Sequence, residues 1–245
     1  MSTKLFVTTD VHGHYSELMK ALKEAGFDKE NPTHYFVSCG DLFDRGTENA
    51  LLYNFVKSLK RKFLIKGNHE VSLYEILERG YLKKHEIHNG TDITVSQLLG
   101  SGAIKENGTI DKDSFKDKIY EICTFIDYMR DYYEAGKYIF VHGWVPVVFD
   151  ENNRPIADRN WRNASCDEWY NTRWYDWSEF YGAKATIEDK IIVCGHRPAY
   201  RGNYFDKTRE PDCSDPFYGN GVIALDPYVV DSGKINVIVI EPFEN

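Results

Sequence analysis

The sequence predicts an α/β fold, because short apolar, β-rich runs alternate with amphipathic segments along the 245 residues, the pattern of strands joined by helices. A second observation points the same way: five of those runs end in a polar cluster or a Gly-His step. A third is composition. With 42% apolar and 28% charged residues, and no repeat or low-complexity stretch, the chain reads as one globular domain over 1–245.

Leu5 to Thr8 reads as the first strand. Ser16 to Ala25 follows as a helix, with Leu18, Met19 and Leu22 on one face and Gly26 as its stop. Tyr35 to Val37 is a second strand, and Glu48 to Leu59 a helix with Leu51, Leu52, Phe55, Val56 and Leu59 at helical spacing. Phe63 to Ile65 is a third strand. An insertion at about 71–136 is expected to be mostly helical, with loops around His88-Asn89-Gly90 and Asn107-Gly108. Tyr138 to Val141 and Ile191 to Val193 are further strands. The tail carries β-rich runs, Gly221 to Leu225 and Ile235 to Ile240, joined by a turn at Asp231-Ser232-Gly233-Lys234. The segment at 150–182, with Trp161, Trp169, Trp174 and Trp177, is expected to be an irregular cover over the sheet. Each of its aromatics is more readily a packing residue than a binding one.

The net charge is −8 and no Lys/Arg run is present, which argues against a nucleic-acid partner. A phosphate substrate stays compatible, since bound cations can reverse a local field. Five cysteines, an odd number without a CxxC pair, argue against a disulfide framework or a structural zinc site. The N-terminal MSTKLFVTTD has no signal-peptide apolar region, and no apolar run reaches 18 residues. A cytoplasmic enzyme with no membrane partner is expected.

The five clusters follow their strands directly. They are Asp10-Val11-His12-Gly13, Gly40-Asp41-Leu42-Phe43-Asp44-Arg45-Gly46, Gly67-Asn68-His69-Glu70, His142-Gly143 and Gly195-His196. Sites in α/β sheets lie beyond the carboxyl ends of the strands, so parallel strands would bring all five to one edge. The donors are oxygen and nitrogen, with no thiolate. Such a set suits manganese, iron or zinc rather than copper or an iron–sulfur cluster. Asp10 and His12, two apart on extended chain, share a face and can grip one ion. Asn68, His142 and His196 can grip a second, with Asp41 between them as a bridge. Two metals about 4 Å apart can activate one water and clamp both ends of an in-line displacement at phosphorus. A lone Asp-x-His or a lone buried His would carry little weight. Gly-Asp-x-x-Asp-Arg-Gly and Gly-Asn-His-Glu each fix four or more positions, and the set together is specific. His69-Glu70 has no second His at the zinc-protease spacing, nor does His85-Glu86-Ile87-His88. His14, His34, His85 and His88 are read as surface or loop residues.

Together these motifs, running from Leu5 to about Leu225, resemble the phosphoprotein phosphatase family of calcineurin-like metallophosphoesterases. Within it the similarity is greatest to small bacterial and phage serine/threonine phosphatases, the lambda phage enzyme among them. His88-Asn89-Gly90 with Thr94, Trp169 to Arg173 and Cys194-Gly195-His196-Arg197-Pro198-Ala199 carry that resemblance. It implies a central β-sandwich flanked by helices, with two divalent ions at one edge, manganese foremost. It implies Asp10 and His12 on the first ion, Asp41 bridging, and Asn68, His142 and His196 on the second. Arg45 would clamp phosphate bidentately, with Arg173 as a second clamp. His69, oriented by Asp44, would protonate the leaving alkoxide.

Three positions depart from the family pattern: Thr9 in place of a glycine, Trp144 after His142-Gly143, and Arg197 in place of a threonine. All three are expected near the pocket mouth, where they would bear on substrate choice. The first functional expectation is a phosphatase acting on phosphoserine or phosphothreonine in a protein or peptide. A symmetric dinucleoside tetraphosphate hydrolase on the same metals is the alternative. A catalytically silent binding module is the third, and the intact ligand set, Arg45 and His69 argue against it.

Overall fold

The computed structural model describes residues 2–243. The first apolar run forms β1 (Lys4–Thr8), and α1 (Tyr15–Glu24) returns to β2 (His34–Ser38). The chain then passes through α2 (Asn49–Ser58) to β3 (Lys62–Leu64). These three strands are parallel neighbours. The last strand, β11 (Ile238–Ile240), closes the sheet by pairing antiparallel with β1, Leu5 facing Ile240.

A second sheet is built from the chain's other half. Its order is β4 (Tyr133–Ala135), β5 (Tyr138–Phe140), β8 (Ile191–Cys194), β10 (Val222–Ala224) and β9 (Phe217–Gly219). The middle three strands are parallel, and the edge strands β4 and β9 run antiparallel to them. A separate hairpin pairs β6 (Val147–Phe149) with β7 (Pro155–Ala157).

Side-chain alternation sorts the cores. Leu5, Val7 and Val37 of the first sheet meet Phe140, Val193 and Ile223 of the second, all in one buried cluster between the sheets. Phe6 and Phe36 point the other way, against Leu18, Leu22, Leu52 and Val56 of α1 and α2. Ile139, Ile192 and Val222 face outward from the second sheet onto Trp144, Trp161, Trp169 and Trp177. The result is a β-sandwich with helices outside it, as the family resemblance implied.

Several elements differ from the sequence-based expectation. The insertion holds α3 (Asn68–Arg79), α4 (Lys84–His88), α5 (Thr91–Leu99) and α6 (Lys116–Asp127), but ends in strand β4, because Tyr133 to Ala135 find a partner edge in β5. The 150–182 segment is not irregular. It contains β7, a 3-10 turn at Trp161–Asn163, α7 (Cys166–Thr172) and α8 (Trp177–Gly182). Ser165 caps α7 through the Glu168 N–H, with Glu168 reaching back to the Ser165 N–H, a capping box. Trp161, Trp169 and Trp177 are buried, which is the packing role. The first half of the expected turn at Asp231 to Lys234 is the end of the short α9 (Val229–Ser232). His34, expected as a surface or loop residue, opens β2 and packs on Phe6 with ring centroids 4.7 Å apart. No helix among the described residues is long and apolar enough to cross a membrane.

Candidate metal centre

Parallel pairing in both sheets sends six strand ends to the same edge of the sandwich. β1 leads to Asp10 and His12, β2 to Asp41, β3 to Asn68, β5 to His142, β8 to His196, and β10 to Asp226. Cross-loop backbone bonds fasten these ends together. Asp10 N–H donates to Gly40 O (3.0 Å), His12 N–H to Asp41 O (3.0 Å), and Gly195 N–H to His142 O (2.8 Å). Two glycines allow the loops to close. A Cβ on Gly67 would overlap the Asp41 carboxylate, and one on Gly195 the Asp10 carboxylate.

The loops are bent into an unusual conformation. Ten non-glycine residues have positive φ among the described residues, and six of them are Asp10, His12, Asp41, Asp44, Arg45 and His196. Each such residue costs on the order of 1–3 kcal/mol, and strain of this kind concentrates at functional sites. A seventh, Tyr228 (φ 53°), lines the same cavity.

Asp41 sits at the centre. Its Oδ2 lies 3.8 Å from His12 Nε2, 3.9 Å from His69 Nε2 and 3.3 Å from His142 Nε2. His142 Nε2 is 2.9 Å from Asn68 Oδ1, and Asp10 Oδ1 is 3.9 Å from His12 Nε2. Donor atoms of Asp41, His142 and His196 fall within 4.8 Å of one another, as do those of His12, Asp41 and His69.

These donors fit a pair of divalent cations on three observations. His12 Nδ1 lies 2.9 Å from Phe43 O and His142 Nδ1 2.8 Å from Cys39 O. Both Nδ1 atoms donate, which leaves Nε2 as the ligand atom, the usual orientation of a metal-bound imidazole. His196 Nε2 is buried with no hydrogen-bond partner among the described residues. Finally, two carboxylates, Asp10 and Asp41, are buried at 2% exposure, where paired negative charge requires a compensating cation.

The electrostatics of two of the three histidine donors agree; at the third, His142, burial is outweighed by the charges of Asp41 and Asp10, which raise it to about 9. Burial, with His142 beside it, brings His196 down to about 3, and burial together with His69 holds His12 well below the ordinary imidazole range. Both are therefore neutral, as ligands must be. Burial raises Asp10. Burial also penalises the Asp41 carboxylate, but the charges of His142 and His69 outweigh it and hold Asp41 well below the usual range.

His69 opens α3 beside Asn68. Its Nδ1 donates to Asp44 Oδ2 at 2.7 Å, so Nε2 faces the cavity. Burial disfavours its charged form, but the charge of Asp41 and the bond to Asp44 raise it above the ordinary value. Glu70, one residue on, ties the loops together: its carboxylate accepts from Asp41 N–H (2.9 Å), Leu42 N–H (2.7 Å) and Gly67 N–H (2.8 Å). Arg45 is exposed and lines a cavity of about 300 Å³ over the metal-site residues. Its backbone N–H is fixed to Asn89 O at 2.9 Å.

Nine of the ten residues assigned from the sequence are thus brought together. Arg173 is not. It is buried and pairs with Asp131, lining a different cavity with Lys66, Tyr74 and Tyr170. At the end of α7 it faces a cavity lined by none of the metal-site residues, and the acid opposite holds it there. Thr9 and Trp144 are corrected too. Neither is at the pocket mouth; both are fully buried. Thr9 Oγ1 donates to Asp10 Oδ2 at 2.6 Å, and Trp144 Nε1 to Ala185 O at 3.0 Å. Arg197 does line the cavity.

Sequence reasoning missed His85, Asp226 and Tyr228 and read Trp174 as more readily a packing residue; all four line the cavity. Asp226 was findable, since it follows the tail strand as the other acids follow theirs. His85 carried no local signal: α4 carries it to the cavity, held by a buried Glu86 that accepts twice from Arg79.

Residues 3–225 match the model of the calcineurin-like phosphoesterase family, and the chain belongs to it. A stretch of 75 residues is 35% identical to a symmetrical bis(5'-nucleosyl)-tetraphosphatase of Proteus mirabilis, covering 30% of this chain and 27% of that protein. A stretch of 71 residues is 35% identical to serine/threonine-protein phosphatase PP1-delta of Caenorhabditis elegans, covering 27% and 22%. The chain thus spans about a quarter of the length of these relatives. Among solved structures, a putative diadenosine tetraphosphatase superposes with TM-score 0.55 at 12% identity, over 100% of this chain and 96% of that one. A metallophosphoesterase from Sphaerobacter thermophilus gives 0.55 at 14% identity, over 99% and 84%. These structures share the fold.

Proposed function

We propose that the chain is a serine/threonine phosphatase of the bacterial and phage type, hydrolysing phosphomonoesters in proteins or peptides. The observation that carries this reading is the His69–Asp44 pair at 2.7 Å, which aims an acid into the metal cavity. A serine or threonine alkoxide is strongly basic and leaves only as it is protonated. A nucleotide phosphate is a far better leaving group and has less need of an acid.

Asp10, His12, Asp41, Asn68, His142 and His196 would hold two divalent ions, with manganese first among the candidates. When bound, such ions supply Lewis-acid charge at the phosphoryl group and a nucleophile at neutral pH. The chain's own residues do the rest. Arg45, exposed at the cavity, would grip two phosphoryl oxygens with its planar fork. Water adds to phosphorus as the bond to the side-chain oxygen breaks. His69 gives that oxygen its Nε2 proton, and a proton from the attacking water restores the imidazolium. The five free cysteines suit a reducing, cytoplasmic setting.

A second reading, a dinucleoside tetraphosphate hydrolase, is favoured by Trp174 and Tyr228. Both rings line the cavity, Trp174 at 50% and Tyr228 at 36% exposure, and exposed aromatics can stack on bases. Manganese-loaded protein assayed in parallel on phosphoserine peptides, diadenosine tetraphosphate and p-nitrophenyl phosphate separates the readings. Faster turnover of the tetraphosphate than of every peptide would put the nucleotide hydrolase ahead of the protein phosphatase. No activity on any of the three would leave a binding module.

A further inference from the structure

Helix α5 lays two threonines, one turn apart, against the Asp44 carboxylate. Thr91 Oγ1 lies 2.9 Å from Asp44 Oδ2, and Thr94 Oγ1 2.7 Å from Asp44 Oδ1. All three side chains are buried, none above 1% exposure. An ionised carboxylate only accepts, so each hydroxyl donates its single proton to Asp44. Thr94 Oγ1 accepts in return from the Asp44 N–H at 3.1 Å, which closes a ring around the acid. Among the described residues, the remaining donor to that carboxylate is His69 Nδ1.

We propose that Thr91 and Thr94 are positioning residues for leaving-group protonation. They fix the Asp44 carboxylate, and through it the His69 ring, so that Nε2 faces the cavity. This rests on the reading of His69 as the proton donor. The threonines belong to the insertion rather than to the strand-end loops that carry the metal-site donors. Their helix is anchored to the β2 loop by Gln97, which accepts from Asn49 N–H at 2.8 Å and donates to Thr47 O. The insertion therefore supplies the acid's orientation while the strand ends supply the metal donors, and the two tasks are separable by mutation.

A selective test follows from leaving-group basicity. Thr91→Val, Thr94→Val and the double variant keep the side-chain shape and remove the hydroxyls. Thr91→Ser and Thr94→Ser keep the hydroxyls. Each is assayed as the manganese-loaded full chain on phenyl phosphate and p-nitrophenyl phosphate, with metal content measured. General acid catalysis is worth roughly 10²–10⁴-fold. The double valine variant is expected to lose at least about tenfold on phenyl phosphate, whose phenolate is the more basic, and only about twofold on p-nitrophenyl phosphate. Metal content should stay at the wild-type level, and the serine variants should retain the rate. In metal-free protein at alkaline pH, where the imidazole is neutral, the nitrogen spectrum of His69 should pass from one Nδ1–H tautomer to an averaged one in the double valine variant. Equal losses on both esters, loss of metal, or an unchanged His69 spectrum would overturn the proposal. Asp44→Asn, run alongside, tells the two failures apart. If it is selective and the valine variants are not, the threonine role alone falls. If it is not selective, the His69 reading falls and takes the threonine role with it.

Discussion

Replacing Glu70 by glutamine changes one buried oxygen into an amide nitrogen and almost nothing else in shape. Glu70 is fully buried and takes three backbone N–H groups, from Asp41 and Gly67 on Oε2 and from Leu42 on Oε1. Glutamine has one acceptor oxygen. Its best orientation keeps the two bonds at the Oε2 position and turns its NH₂ toward the Leu42 N–H. One charge-assisted bond is lost and one buried donor is left unpaired, a cost of about 1–3 kcal/mol. The β2 loop carrying Asp41 then loses its Leu42 anchor and is held to the β3 loop less firmly, through the Asp41 and Gly67 bonds alone. Groups that orient metal ligands typically govern affinity by about 10–100-fold. Urea denaturation of the metal-free variant should show the stability loss, and competition against a chelator the weaker metal binding. A Glu70→Gln protein with the wild-type urea midpoint and the wild-type metal affinity would refute the argument that this carboxylate joins the two loops.

Four further outcomes are expected. His69→Asn should keep its metals and lose roughly 10²–10⁴-fold on a phosphoserine peptide, but much less on p-nitrophenyl phosphate; because His69 Nε2 lies 3.9 Å from Asp41, metal loss in this variant would make it a ligand instead. Arg45→Ala should retain metals and weaken inhibition by inorganic phosphate by about one to two decades, from a charge-assisted contact worth about 1.5–3 kcal/mol; unchanged inhibition would place its guanidinium elsewhere. Asp41→Asn and Asn68→Ala should each lower metal content and activity together, and elemental analysis finding two metals in both would remove them from the ligand set. Glu134, hydrogen-bonded to Arg162 and Lys190, is brought down to about 2. A carboxyl with a lowered folded-state value stabilises the fold above its unfolded value and loses that contribution as pH falls toward 2, so acid unfolding of Glu134→Gln should lack this component between about pH 4.5 and 2.

The strand ends and their donors are legible in the amino-acid order alone. Asp10, His12, Asp41, Asn68, His142 and His196 each stand at most about four residues past an apolar run, and the loops between are marked by glycine and aspartate, which tolerate the left-handed backbone found there. Such information is local, so it survives without knowing what packs on what. Strand pairing is not local. It took the folded chain to show that the runs divide between two sheets, with β11 returning from the far end of the chain to lie beside β1. Side-chain direction is settled the same way. Arg173 sits in a segment resembling a phosphate-binding one, yet the packing of α7 turns it to Asp131. Thr9 and Trp144 fall next to cavity residues in sequence but point beneath the site. His85, in a segment with no signal of its own, is carried to the cavity by a helix whose place is set by the pairing of Arg79 with the buried Glu86. Residue type and spacing state which donors a chain owns; which of them face one another depends on burial energy summed over contacts far apart in sequence, and only the folded chain carries out that sum.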